Sequence, residues 1–98
     1  MSISDVDGAR AAFIEALRSA HAARRGATPQ VEATARAYAS AMRKAGAGIG
    51  QALVQVKDLV RAHSGYDEPI VTPKVVGWTV AGFYYGTSPK DADQRNES

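Results

Sequence analysis

Bulky apolar side chains are concentrated in one run of this chain, from Val75 to Tyr85, which holds four of its seven aromatic residues. The preceding sequence is rich in alanine, which makes up nineteen of the 98 residues in the whole chain. Alanine is the strongest helix former but removes little apolar surface from water when it is buried. The body therefore forms helices readily, and the aromatic run must either complete a modest core or form a binding surface.

The length and the absence of cysteine limit the kind of protein this is. Ninety-eight residues make one domain, which we expect to be helical over 1–86, with a disordered polar tail at 87–98. Without cysteine the chain has no disulfide, thiol nucleophile or cysteine zinc site. The N-terminus lacks the features of a secretory signal, and no apolar stretch approaches the ~20 residues of a membrane helix. We therefore expect a cytoplasmic protein.

Apolar periodicity and helix-end signals predict an all-α fold, a small bundle of four helices. Thr28-Pro29 and Thr72-Pro73 each read as an N-cap followed by a first-turn proline, and glycine follows basic residues at Gly26 and Gly46. Apolar residues recur at helical spacing between these signals. The predicted helices span residues 5–24, 29–45, 49–63 and 73–85.

The fourth helix has a competing interpretation. Valine, threonine and aromatic residues favour strands, and Gly77 and Gly82 weaken a helix, so the alternative is three helices and a β-hairpin at 75–87. The proline start and the lack of any further strand favour the helix. In that helix Val76, Val80 and Phe83 share the face expected to join the core.

The remaining aromatic residues predict a surface that binds another protein. Phe83, Tyr84 and Tyr85 are consecutive, so they spread around the helix and at least one tyrosine must be exposed. Exposed aromatic side chains supply large contact area at low entropic cost. We therefore expect a non-enzymatic adaptor or regulator that binds a protein partner or self-associates as a dimer. Its expected anchors are Trp78, Tyr84 and Tyr85, with Tyr38 and Met42 as possible neighbours.

A basic body gives a second hypothesis, a regulator that binds nucleic acid. Residues 8–61 carry nine Lys or Arg against three acids. The candidate phosphate contacts, on one face each of the first two helices, are Arg18, Arg25, Arg36 and Arg43. Five of the nine basic residues lie in last helical turns, where their charge also complements the helix dipole: Arg24, Arg25, Arg43, Lys44 and Arg61.

The other motifs in the sequence are too incomplete to indicate an activity. Glycines at 46, 48 and 50 precede a helix, but the preceding strand of a dinucleotide site and the Gly-Lys-Ser/Thr of a P-loop are both missing. The second and third helices favour a plain helical hairpin over a DNA-reading pair, because the third is apolar over too wide an arc. His21 and His63 belong to no ligand-spaced cluster. We expect no enzyme, metal or cofactor.

Overall fold

A computed structural model describes residues 2–65 and 68–86, and these residues form four α-helices and no strand. The helices are α1 (Ser2–Ala22), α2 (Pro29–Lys44), α3 (Ile49–His63) and α4 (Glu68–Tyr85). The predicted all-α fold is therefore confirmed, and the alternative hairpin is wrong over the part of 75–87 that is described. The predicted polar tail at 87–98 lies outside the described residues.

The boundaries of the first three helices follow local signals closely. Thr28 caps α2 in an extended conformation, and its hydroxyl accepts a hydrogen bond from the Val31 amide at 3.2 Å. α1 ends at Ala22, two residues before the predicted end, because Arg24 already adopts a left-handed backbone with φ of 58°. The Arg25 amide then donates to the Ala20 carbonyl at 2.9 Å, which closes the helix end.

The fourth helix begins at Glu68, five residues before the predicted start, so Pro73 lies inside it. Proline has no backbone N–H, so inside a helix it removes one backbone hydrogen bond, whereas in the first turn it removes none. The sequence therefore predicted Pro73 as the first residue of the helix. Two interactions carry the helix through it. The Thr72 hydroxyl donates to the Glu68 carboxylate at 2.9 Å, and Val71 packs in the core with its side chain fully buried. Tertiary burial thus overrides the local signal for a later start.

The earlier start also changes which face of α4 points inward. The buried residues recur at spacings of four, four, three and one, which defines the inner face of α4 as Val71, Val75, Thr79, Gly82 and Phe83. The prediction for Phe83 is confirmed. The predictions for Val76 and Val80 are wrong in part, since both side chains are only half-buried at the edges of this face. Because the helix was predicted to begin at residue 73, Val71 was left out of it. The predicted core face was therefore displaced around the helix and did not include Thr79.

α2 is the central helix of the bundle. It packs on α1 and α4, while α3 packs mainly on α4 and touches α2 much less, so the two consecutive helices do not form a tight hairpin. The buried apolar core is built mostly from alanine and valine, with fewer large side chains. Its largest fully buried members are Phe13, Leu17, Val31, Val56, Val60, Val71 and Val75.

α2 and α4 cross at Gly82 with their backbones in close contact. A Cβ atom added to Gly82 would lie 2.5 Å from both the Cα and the carbonyl oxygen of Arg36. Ala35 and Ala39, on either side of Arg36, are fully buried. The Arg36 side chain is largely buried and pairs with Glu32, with Nη2 and Oε2 3.1 Å apart. Small residues therefore set how closely these two helices approach.

Candidate partner-binding surface

The side of α4 that faces away from the bundle is apolar and exposed. Ile70 is 63% exposed, Tyr84 50% and Tyr85 57%. Seven residues rotate a helix through about 700°, nearly two full turns, so Ile70 and Tyr84 lie two heptads apart along one line with Gly77 midway. We define the outer face of α4 as Ile70, Pro73, Lys74, Gly77, Ala81, Tyr84 and Tyr85.

This outer face lacks the charge that a solvent-facing helix normally carries. Lys74 is its one charged residue. The opposite, inner face is the buried one, so α4 is apolar around most of its circumference. A helix of this kind normally has both sides covered, whereas an ordinary surface helix is polar on one side. Among the described residues, α4 supplies three of the four large apolar side chains that are exposed, the fourth being Val54 on α3.

Two aromatic residues link the outer face to the core. Trp78 is half-buried and packs against the core, and it stands two turns before Tyr85 on nearly the same side of α4. The rings of Phe83 and Tyr84 meet edge to face, with centroids 5.2 Å apart and planes at 74°. Because Phe83 is itself buried, this contact fixes the orientation of the exposed Tyr84 ring.

Arg43, near the end of α2, holds the end of α4 in place. Its Nη1 donates to the carbonyl oxygen of Phe83 at 2.7 Å. That carbonyl belongs to the last turn of α4, where backbone acceptors have no partner within the helix. The guanidinium also lies 5.6 Å from the ring centroid of Phe83 and 6.0 Å from that of Tyr84. A groove of about 330 Å³ runs between Arg43, Lys44 and Tyr85.

Tyr38 and Met42 do not belong to this surface. Their side chains are only 2% and 4% exposed, and the Tyr38 ring packs 6.1 Å from that of Phe13. Burial raises the pKa of the Tyr38 hydroxyl; the charge and hydrogen bond of Arg10 oppose this change, while the charge of Asp7 adds to it. The two residues form the floor of a cleft of about 430 Å³ between α1, α2 and α3. The apolar stripe of α2 is thus a core stripe.

The four candidate nucleic-acid residues lie in different settings. Arg18 lines a groove between the ends of α1 and α3, and Arg25 lies in the loop after α1. Arg36 is paired with Glu32 beside the helix crossing, and Arg43 is bonded to α4. The two arginines of α2 therefore each contact a group of the chain itself, Arg36 largely buried and Arg43 at the surface.

Both histidines line the open groove of about 580 Å³ that Arg18 also borders. Among residues 2–65 and 68–86, no group of three or more His, Asp or Glu side chains is arranged to hold a metal ion. The described helices also include none that is long and apolar enough to cross a membrane.

Tyr84, Tyr85 and Trp78 were predicted from the sequence as part of this surface, whereas Ile70 and Gly77 were not. Their seven-residue spacing to Tyr84 becomes a signal only when α4 starts before residue 70. No protein-family model, curated protein or solved structure matches the chain. The outer face of α4 is therefore interpreted from its own geometry.

Proposed function

We propose that this protein is a non-enzymatic interaction module, an adaptor or regulator, that binds a protein partner through the outer face of α4. The observation that supports this proposal is the helix that is apolar on both sides. Its inner face is buried in the bundle, while Ile70, Tyr84 and Tyr85 stay exposed on the other side. A partner that covers this face would remove apolar area from water at about 25 cal/mol per Å².

The proposed surface is preorganised, which lowers the entropic cost of binding. The Tyr84 ring is held against Phe83, and the Arg43 guanidinium sits over both rings. Trp78 is packed into the core below Tyr85. Tyrosine and tryptophan are the side chains that most often dominate the energy of protein interfaces.

Protein binding is favoured over nucleic-acid binding by what the basic residues already contact. A phosphate-binding stripe needs arginines that are free to reach a backbone. Arg36 and Arg43 contact Glu32 and α4 instead. We also place the module in the cytoplasm, since a chain without cysteine suits a reducing compartment.

Photo-crosslinking in the organism that encodes the protein tests the proposal. A benzophenone amino acid is placed at Tyr84, and in a matched control at Asp58, whose side chain is 65% exposed on the polar side of α3. We expect a covalent protein adduct from position 84 and none from position 58. No adduct at 84, or equal adducts at both positions, would contradict an interaction through α4. The mass of the adduct shows whether the partner is this chain or another protein.

A further inference from the structure

We propose that the partner is a second copy of this chain, bound through the outer face of α4 with the two helices antiparallel and crossing at Gly77. This inference rests on the proposed interaction function and identifies its partner. A two-fold dimer uses the same patch on both chains, so the patch must be complementary to itself. The outer face of α4 meets this condition in its spacing, its shape and its charge.

The spacing is symmetric about Gly77. Ile70 precedes it by seven residues and Tyr84 follows it by seven, which places each about 10.5 Å from Gly77 along the helix. A two-fold axis through Gly77 therefore brings Ile70 of each chain against Tyr84 of the other. Two identical contacts between an aliphatic side chain and an aromatic ring form at once.

The shape permits a close approach at the crossing point. A Cβ atom added to Gly77 would meet nothing within 4 Å, so the space outside this backbone is open. Glycine at a helix crossing lets two backbones come nearer than the usual 8–10 Å between axes. The compact side chains of Pro73 and Ala81 flank it. Gly82 plays this part on the inner face, where α2 is the neighbour.

The charges favour the antiparallel arrangement over the parallel one. Antiparallel packing aligns the helix dipoles favourably. It also opposes Lys74 to position 80 of the second chain, which keeps the two lysines about 9 Å apart along the axis. Parallel packing would place Lys74 against Lys74.

The patch is small, as in weak and reversible complexes. α4 has 18 residues and is about 27 Å long, so one pair of helices buries less than the ~1,600 Å² of a standard interface. We therefore expect a reversible dimer with a dissociation constant on the order of 10 µM. Such an affinity suits a regulator whose assembly responds to its own concentration.

Because the chain contains no cysteine, single cysteines introduced by mutation report the geometry directly. Ile70→Cys and Tyr84→Cys variants are prepared separately, at two exposed positions. In the proposed dimer residue 70 faces residue 84 of the second chain, while identical positions are about 21 Å apart. The reagent is a bismaleimide that spans less than half that distance. The matched control is a mixture of the Ile70→Cys and Val54→Cys variants. Position 54 is also exposed, but it lies on α3.

We expect a crosslinked dimer from the mixture of Ile70→Cys and Tyr84→Cys, and none from either variant alone or from the control. Crosslinking of each variant alone would show a parallel pair and overturn the proposal. The proposal would also be overturned if no sample were crosslinked, or if the control were crosslinked as strongly as the mixture of Ile70→Cys and Tyr84→Cys. If crosslinking fails while photo-crosslinking at position 84 captures a larger protein, the interaction function stands and self-association falls. If both experiments fail, both proposals fall.

Discussion

The inner and outer faces of α4 are both apolar, yet they differ in how much room surrounds the backbone. On the inner face, Gly82 is in contact with the Arg36 backbone, and the other residues of this face are buried. On the outer face, Gly77 has open space beyond it, and the large side chains seven residues away on either side, Ile70 and Tyr84, are exposed. The inner face is fitted closely to α2, and the outer face is the surface through which we propose that the protein binds a partner.

Hydrophobicity alone therefore does not separate a folding surface from a binding surface. The two faces are separated by the consequences of changing them. A change on the inner face should lower the free energy of unfolding, whereas a change on the outer face should leave it almost unaltered and weaken association.

The largest expected effect comes from adding one methyl group to each glycine. Gly82→Ala should destabilise the protein by about 3 kcal/mol or more, because backbone atoms of Arg36 occupy the space and cannot rotate away. Gly77→Ala should instead stabilise the isolated chain by roughly 0.5–1 kcal/mol through helix propensity. Urea unfolding of both variants at high dilution measures the contrast. Equal effects would show that the two helix faces are not distinguished by packing.

Neighbouring residues on the two faces provide the second comparison. Val71→Ala should cost about 2 kcal/mol, because it leaves a cavity in a fully buried site. Ile70→Ala, one residue earlier and exposed, should change stability by less than about 0.5 kcal/mol. The same urea unfolding experiment decides the matter. A large loss in Ile70→Ala would mean that the outer face contributes to folding of the single chain.

The inner face contains one buried polar group without a hydrogen-bond partner, and a substitution should remove it. The Thr79 hydroxyl is fully buried and has no hydrogen-bond partner among the described residues. Thr79→Val keeps the shape and removes the unsatisfied group, so we expect a gain of about 1 kcal/mol. An increase in the urea midpoint with an unchanged slope would support this. A loss of stability would show that the hydroxyl has a partner in solution.

The smallest effect concerns two tyrosines, one buried in the core and one on the outer face. The pKa of Tyr38 is raised above its usual 10.0 mainly by burial, so the folded state resists losing this proton. Its stabilising contribution is complete below pH 10 and is lost as the pH rises through the pKa of the folded state. Tyr38→Phe should therefore flatten the decline in stability above pH 10, measured by urea unfolding from pH 8 to 11. Tyr84→Phe, which removes a hydroxyl from the outer face, is measured as the matched control.

Local chemistry explains which parts of the fold could be predicted. The start of α2 was predicted correctly because Thr28 and Pro29 act on their own turn. The start of α4 was not, because Thr72-Pro73 gives the same local signal and only the long-range burial of Val71 overrides it. A signal within a few residues cannot report a contact made with a distant helix.

The candidate surface was predictable to the same extent. Counting the faces of a helix predicts that at least one of Tyr84 and Tyr85 is exposed, and in the structure both are. Ile70 was missed because its place on that face depends on the true start of α4. Tyr38 was assigned to the surface because an apolar stripe on α2 looks alike whether it faces the core or a partner. The role of Arg43 at the end of α4 depends on tertiary packing that leaves no pattern in the sequence.

Sedimentation velocity of the wild-type chain and of Ile70→Asp tests the central claim most directly. Aspartate suits the first turn of a helix, so this change should preserve α4 while placing a charge at the centre of the proposed contact with Tyr84. We predict that the wild-type mass rises from one chain toward two through the micromolar range, and that Ile70→Asp stays a single chain with the same circular dichroism. A wild-type chain that remains monomeric at every concentration, or a variant that associates equally well, would contradict the account.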